Sequence, residues 1–138
     1  MEGDTEMSKV NDFLTQAGVF YLSTCDGDQP KSRPLGLHFE KDGKVLFGIG
    51  DFKAVYRQMQ TNPKVEIVAC TPDRNWLRYT GTAVFETDPS YAEAALEGAP
   101  YLRSIYNEET GKKLAVFYLT DAKAVKIDMA GNEEDLLG

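Results

Sequence analysis

GVFYLSTCDGDQPKSRPLGLHFEKDGKVLFGIG, residues Gly18 to Gly50, is the stretch whose reading decides the fold. Val19-Phe20-Tyr21-Leu22-Ser23-Thr24 is rich in β-formers, and Cys25-Asp26-Gly27-Asp28-Gln29-Pro30 is a turn. The run from Lys31 to Glu40 therefore returns antiparallel to the first strand. Lys41-Asp42-Gly43-Lys44 is a second, Asp-Gly turn, and it leads into Val45-Leu46-Phe47-Gly48. Tight turns between successive strands make an antiparallel meander.

On the N-terminal side, Val10, Phe13, Leu14 and Ala17 fall at helical spacing between Ser8 and Ala17, with Gly18 placed to stop the helix. On the C-terminal side the period changes again. Phe52, Val55, Tyr56 and Met59 share one helical face from Phe52 to Thr61, and Asn62-Pro63 ends that helix. A strand follows from Lys64 to Thr71, and another from Trp76 to Glu86, in which Gly81 marks a bend or bulge of the kind a closing barrel needs.

Asp88 as N-cap with Pro89 in the first helical position begins a late helix, and a short helical piece from Tyr101 to Tyr106 follows Pro100. Leu114 to Leu119 reads as a strand, Thr120-Asp121 as a turn, and Ala122 to Met129 as the last strand. The polar segment 129–138 is expected to be a mobile tail. The sum is a mainly β chain: a six- to seven-stranded antiparallel split β-barrel with a few short helices, in one domain spanning residues 1–138.

Composition narrows the function. The chain has 138 residues, 42% of them hydrophobic, and a net charge of -7 that repels phosphate backbones and anionic lipid surfaces. An oligonucleotide-binding small barrel, which needs a basic groove, is disfavoured for the same reason. No run approaches the roughly 20 apolar residues of a membrane span, and the acidic opening Met1 to Glu6 is unlike a signal peptide, so a cytoplasmic location is expected. Cys25 and Cys70 stand 45 positions apart with a single histidine in the chain, which supports neither a disulfide framework nor a metal site. That one histidine also rules out a convincing Ser/His/Asp or Cys/His set, so any redox or group-transfer chemistry would fall to a cofactor.

Candidate binding residues lie along the deciding stretch. Arg33 alternates with Leu35, Leu37 and Phe39, which aims a guanidinium to the same side as apolar residues. Its charge needs a partner, either an anionic ligand at the barrel rim or an acidic residue of the chain itself. Pro34 and Gly36 are poor central-strand residues; they leave backbone bare for a flat ring, or serve as an edge that blocks aggregation. Lys53 follows Gly48-Ile49-Gly50-Asp51 and sits in the first turn of the central helix, where an ammonium and free N–H groups suit a phosphate. A solvated surface lysine is the plain alternative. Trp76, Arg78 and Tyr79 bring aromatic and cationic groups together for stacking, for a subunit contact, or for ordinary packing.

These stretches, together with the later NWLRYTGTAVFE, resemble the pyridoxamine 5'-phosphate oxidase-like FMN-binding split-barrel family over roughly Gly18 to Glu86. KAVYRQMQTNPKVE and the following Trp-x-Arg-x-x-Gly strand are most similar to its NimC/NimA-like branch, whose named members are linked to 5-nitroimidazole resistance. The resemblance implies bound FMN, with phosphate on Arg33 and Lys53, the ring along Arg33-Pro34-Leu35, and Phe47, Gly48 and Ile49 also in contact. It further implies a homodimer with the flavin in the subunit cleft, where Trp76 and Arg78 would reach the flavin or its substrate from the partner.

Two departures set the chain apart within that family. The loop before the helix lacks the histidine of some nitroimidazole-reductase-like members, and the segment from Lys123 to Gly138 lacks the arginine-rich ending of true pyridoxamine phosphate oxidases. The expectation is a flavin-dependent oxidoreductase acting on a small molecule, with no assigned catalytic residue. The alternatives are a non-catalytic flavin-binding or electron-transfer module, or a barrel that binds deazaflavin or haem.

Overall fold

The computed structural model describes residues 6–138; the acidic opening before Glu6 lies outside them. Helix α1 (Glu6–Ala17) buries Val10, Phe13 and Leu14 on one face, and Gly18, at φ +84°, donates its N–H to Leu14 O at 2.9 Å to end it. Strand β1 (Phe20–Asp26) turns at Gly27-Asp28 into β2 (Gln29–Leu35). Strands β3 (His38–Lys41) and β4 (Lys44–Gly50) meet at Asp42-Gly43, both at positive φ, the geometry that matches the twist of a two-residue hairpin.

Helix α2 (Ala54–Thr61) ends at Asn62, whose N–H reaches Gln58 O at 2.8 Å, and β5 (Lys64–Cys70) follows Pro63 directly. Then come β6 (Trp76–Glu86), α3 (Pro89–Gly98), a 3-10 turn (Pro100–Ser104), β7 (Leu114–Ile127) and β8 (Glu133–Asp135). Asp88 caps α3 by accepting the Ser90 N–H at 2.9 Å.

All strand pairs are antiparallel, in the order β2-β1-β5-β6-β7-β4-β3, with β8 added to β7. The sheet is a split barrel whose first and last strands, β2 and β3, are consecutive in the chain. Only Gly36-Leu37 separates them, so the curled sheet brings its two ends together at that dipeptide.

The inner face carries the core. Phe47 is fully buried, its ring 5.5 Å from Phe20 and 5.4 Å from Phe117, with Leu22, Ile67, Leu77 and Tyr79 around them and α1 covering one side. A second cluster places Leu46, Leu114 and Val116 under Tyr91 and Ala95 of α3. Strand β4 is thus buried on both faces, which is why it reads as an unbroken apolar run.

Three expectations are corrected. Lys31 to Glu40 is not one strand: β2 pairs with β1, β3 pairs with β4, and the chain crosses the seam between them. Thr120-Asp121 is not a turn but a bulge inside the 14-residue β7. The register of β6 against β7 shifts between Thr80 and Thr82, and a Cβ on Gly81 would lie 2.9 Å from Thr120 O, so glycine is required there. The segment 129–138 is held rather than loose: β8 pairs with β7, the Leu136 N–H reaches Ala124 O at 2.8 Å, and the Leu136 side chain enters the core. These changes give an eight-stranded sheet.

Candidate functional site

A cleft of about 570 Å³ opens at the seam. One wall is Arg33, Pro34 and Leu35 at the end of β2, running into Gly36-Leu37. Because β2 is the terminal strand and pairs only with β1, its outer edge has no strand partner. Facing it are Gly48 and Ile49 of β4 and the head of α2. Tyr101 and Tyr106, from the 3-10 turn and the segment after it, close the remaining side.

Close packing sets the inner wall. A Cβ on Gly48 would meet Leu37 Cδ2 at 2.6 Å and Leu114 Cδ1 at 3.1 Å, so the absence of a side chain there lets the two leucines approach.

Arg33 is half-buried and has no carboxylate within ion-pair distance among the described residues. Its Nη1 donates to Leu22 O (3.0 Å), Thr24 Oγ1 (2.7 Å) and Lys31 O (3.2 Å), and its Nη2 to Gln58 Oε1 (3.0 Å). Every acceptor is neutral. Burial lowers the Arg33 pKa, yet a guanidinium stays charged in a protein. The result is a rigidly held, uncompensated positive charge beside the cleft.

Lys53 stands at the N-cap of α2 in extended geometry (φ -89°, ψ 155°) rather than inside the first turn, and no side chain caps the helix. The first N–H to bond back is that of Tyr56, to Lys53 O at 3.1 Å, which leaves the N–H groups of Ala54 and Val55 for solvent or a ligand. Asp51 is engaged elsewhere: its Oδ1 accepts the Lys113 N–H at 3.0 Å. Cation, helix dipole and free donors thus converge where α2 begins. Tyr106 has its phenol pKa raised, first by burial and then by the charge of Asp51.

The residues singled out from sequence divide into those the cleft gathers and those it does not. Arg33, Pro34, Leu35, Gly48, Ile49 and Lys53 all line it. Phe47 does not: its side chain points into the core and supports the wall from behind. Trp76 and Arg78 are on the outer face of β6, with Arg78 Nε 3.4 Å from Glu66 Oε1 and its guanidinium 5.0 Å over the Trp76 ring. His38, the single histidine, shares a 2.7 Å hydrogen bond between Nδ1 and Asn11 Oδ1, outside the cleft.

Sequence reasoning missed Tyr101, Tyr106 and Leu114 as lining residues, since they arrive from a part of the chain far from Arg33 and Lys53. It also missed Thr24 and Gln58, which hold Arg33. Gln58 follows Ala54 by one helical turn but does not itself line the cleft; it reaches the site only through Arg33, and nothing in the sequence marks that contact. Among the described residues no cluster of His, Cys, Asp and Glu could hold a metal ion, and no helix is long and apolar enough to cross a membrane.

Comparison with known proteins agrees with this architecture. Residues 7–127 match the family model described as pyridoxamine 5'-phosphate oxidase. A crystal structure of a NimC/NimA family protein from Clostridium acetobutylicum is 36% identical, with a TM-score of 0.86 over 94% of this chain and 90% of that one. Two more distant structures share the fold. A heme binding protein from Mycobacterium smegmatis is 15% identical (TM-score 0.72), covering 95% of this chain and 57% of that one. A FAD-binding protein from Mesorhizobium loti is 14% identical (TM-score 0.61), covering 87% of this chain and 94% of that one. No curated protein matches significantly in sequence. The split barrel, the seam cleft and these matches together assign the chain to the pyridoxamine 5'-phosphate oxidase family, in its NimC/NimA branch.

Proposed function

We propose that the seam cleft binds FMN and that the protein is a flavin-dependent oxidoreductase acting on a small molecule. The observation that carries this reading is Arg33: a fixed cation at the cleft with only neutral partners, next to an uncapped helix N-terminus. A charge so placed favours an anion, and a guanidinium fork suits the oxygens of a phosphate. The cleft lies within the size range of small-molecule sites.

The residues fit a phosphate-bearing flavin. Arg33, Lys53 and the N–H groups of Ala54 and Val55 would hold the phosphate. The bare edge of Pro34 and Leu35 would lie along the ring, while Leu37 and Leu114 exclude water from the inner wall. The flavin would supply hydride and electron transfer, which no set of side chains here can perform. Of the proteins that share the fold, one is a FAD-binding protein and another a heme binding protein, so the fold alone does not choose between the two and the choice falls to the residues of the cleft. A haem would find no imidazole in this cleft, because His38 lies outside it.

The reading includes a homodimer. Val19 and Tyr21 stay about half exposed (51% and 49%) on the outer sheet face, where Tyr21 pairs with Val68 and Val68 with Arg78. Exposed apolar and aromatic side chains beside a charged pair on one sheet face suit a subunit contact. Sedimentation velocity tests it: a dimer that Tyr21→Glu dissociates is expected, and a monomer at micromolar concentration overturns it.

The absorbance spectrum tests the cofactor. Purified protein mixed with FMN and freed of excess should retain the flavin bands. Arg33→Ala and Lys53→Ala should each lose them in part or whole. No retention at micromolar FMN overturns the reading, and a haem or deazaflavin spectrum in the protein as purified replaces it. Turnover of NAD(P)H by the loaded protein separates an oxidoreductase from a passive carrier.

A further inference from the structure

We propose that Gln58 keeps the cleft positively charged: it holds Arg33 in place without neutralising it, and thereby makes the site select ligands that end in a phosphate. The inference rests on the flavin reading above and concerns how that site recognises its ligand.

Gln58 lies in the second turn of α2, four residues after Ala54. Its Oε1 accepts two bonds, from Arg33 Nη2 at 3.0 Å and from the buried Thr24 Oγ1 at 2.6 Å. The guanidinium is thus tied to β1, β2 and α2 at once, and its position is set before any ligand arrives. Gln58 stands behind Arg33 and lines a second cleft, of about 550 Å³, which shares Ala54 with the first. Arg33 lines the first cleft and Gln58 the second, and the 3.0 Å bond between them links the two walls. The Gln58 amide nitrogen has no acceptor among the described residues, so two further N–H donors remain there.

The amide matters because a carboxylate would do the mechanical task better. Glutamate has the same length as glutamine, accepts the same two bonds, and adds an ion pair to the bond from Arg33. A residue whose role was only to brace β1 against α2 would gain from that change. What glutamate would remove is the net charge on Arg33, which is the quantity that attracts a phosphate dianion.

The test compares FMN with riboflavin, which differ in the phosphate alone, by fluorescence titration of the full-length protein. Wild type should bind FMN more tightly than riboflavin. In Gln58→Glu, FMN affinity should fall at least tenfold and its salt dependence flatten, riboflavin affinity should stay within about twofold, and the melting temperature should be unchanged or higher. Gln58→Leu, neutral and similar in size, loses the hold on Arg33 but not the charge, so it should keep a reduced preference for FMN, between those of wild type and Gln58→Glu.

Unchanged FMN binding in Gln58→Glu, or equal losses for both flavins, overturns the inference. So does a Gln58→Leu variant that loses the preference as fully as Gln58→Glu. If wild type binds both flavins equally, the phosphate is not recognised and this inference fails while the flavin reading stands. If it binds neither, the flavin reading itself fails.

Discussion

Arg33 and Arg78 are both strand arginines on a curled sheet, and their surroundings are opposite. Arg78 is exposed, lies 5.0 Å over the Trp76 ring and 3.4 Å from Glu66, and is neutralised on the spot. Arg33 is half-buried, held by two carbonyls beside it, a hydroxyl and an amide, and keeps its charge. Family resemblance put both at the cofactor. Physical surroundings separate them: an arginine that already has a carboxylate has little left to offer an anion, whereas one held by neutral acceptors has its charge to spend.

The largest expected effect breaks that comparison directly. Arg33→Ala removes charge-assisted bonds worth about 1.5–3 kcal/mol, so FMN affinity should weaken roughly 10- to 100-fold, with riboflavin much less affected. Titration of both flavins into wild type and variant is the check. Gly48→Ala should come next: its new Cβ would be 2.6 Å from Leu37 Cδ2, and overpacking of this kind costs about 1–3 kcal/mol. Chemical denaturation should read that loss, and a full-stability variant would mean that Leu37 swings away freely.

Arg78→Ala should be nearly silent in stability, within about 1 kcal/mol for an exposed ion pair, and it should leave FMN affinity unchanged. Should the flavin affinity instead collapse together with dimerisation, Arg78 serves the site across the subunit contact.

The smallest effect concerns His38, at the far side of the seam. Burial lowers its pKa, so the folded state favours the neutral ring. With an unfolded value near 6.5, the unfolded chain then binds the proton first as pH falls, and stability drops below about that pH. Thermal melts between pH 7.5 and 5 should show this slope, and His38→Gln should flatten it.

Much of the fold was legible because it is local. The strand character of Trp76 to Glu86, the Asp42-Gly43 turn, the Asp88 cap and the Gly81 bulge are each written within a few residues. The break at Gly36-Leu37 was not, because Leu37 and Phe39 continue the alternation of Arg33 and Leu35 while their strand changes partners. Which strand a segment pairs with is a long-range matter that period-2 patterning does not carry. The same distinction runs through the site. Arg33 and Lys53 stood out by charge; Tyr106, delivered by a chain return far along the sequence, and Thr24 and Gln58, small neutral partners, had no pattern to mark them.

The Gly36-Leu37 crossing also has a mechanical side. The two rims of the slit are joined by a leash of two residues, which limits the Leu35 to His38 Cα separation to about 11 Å even at full stretch. At that end the slit can flex but cannot gape. Whatever occupies the groove there lies beside two strands, β2 and β3, whose spacing is tethered by covalent bonds.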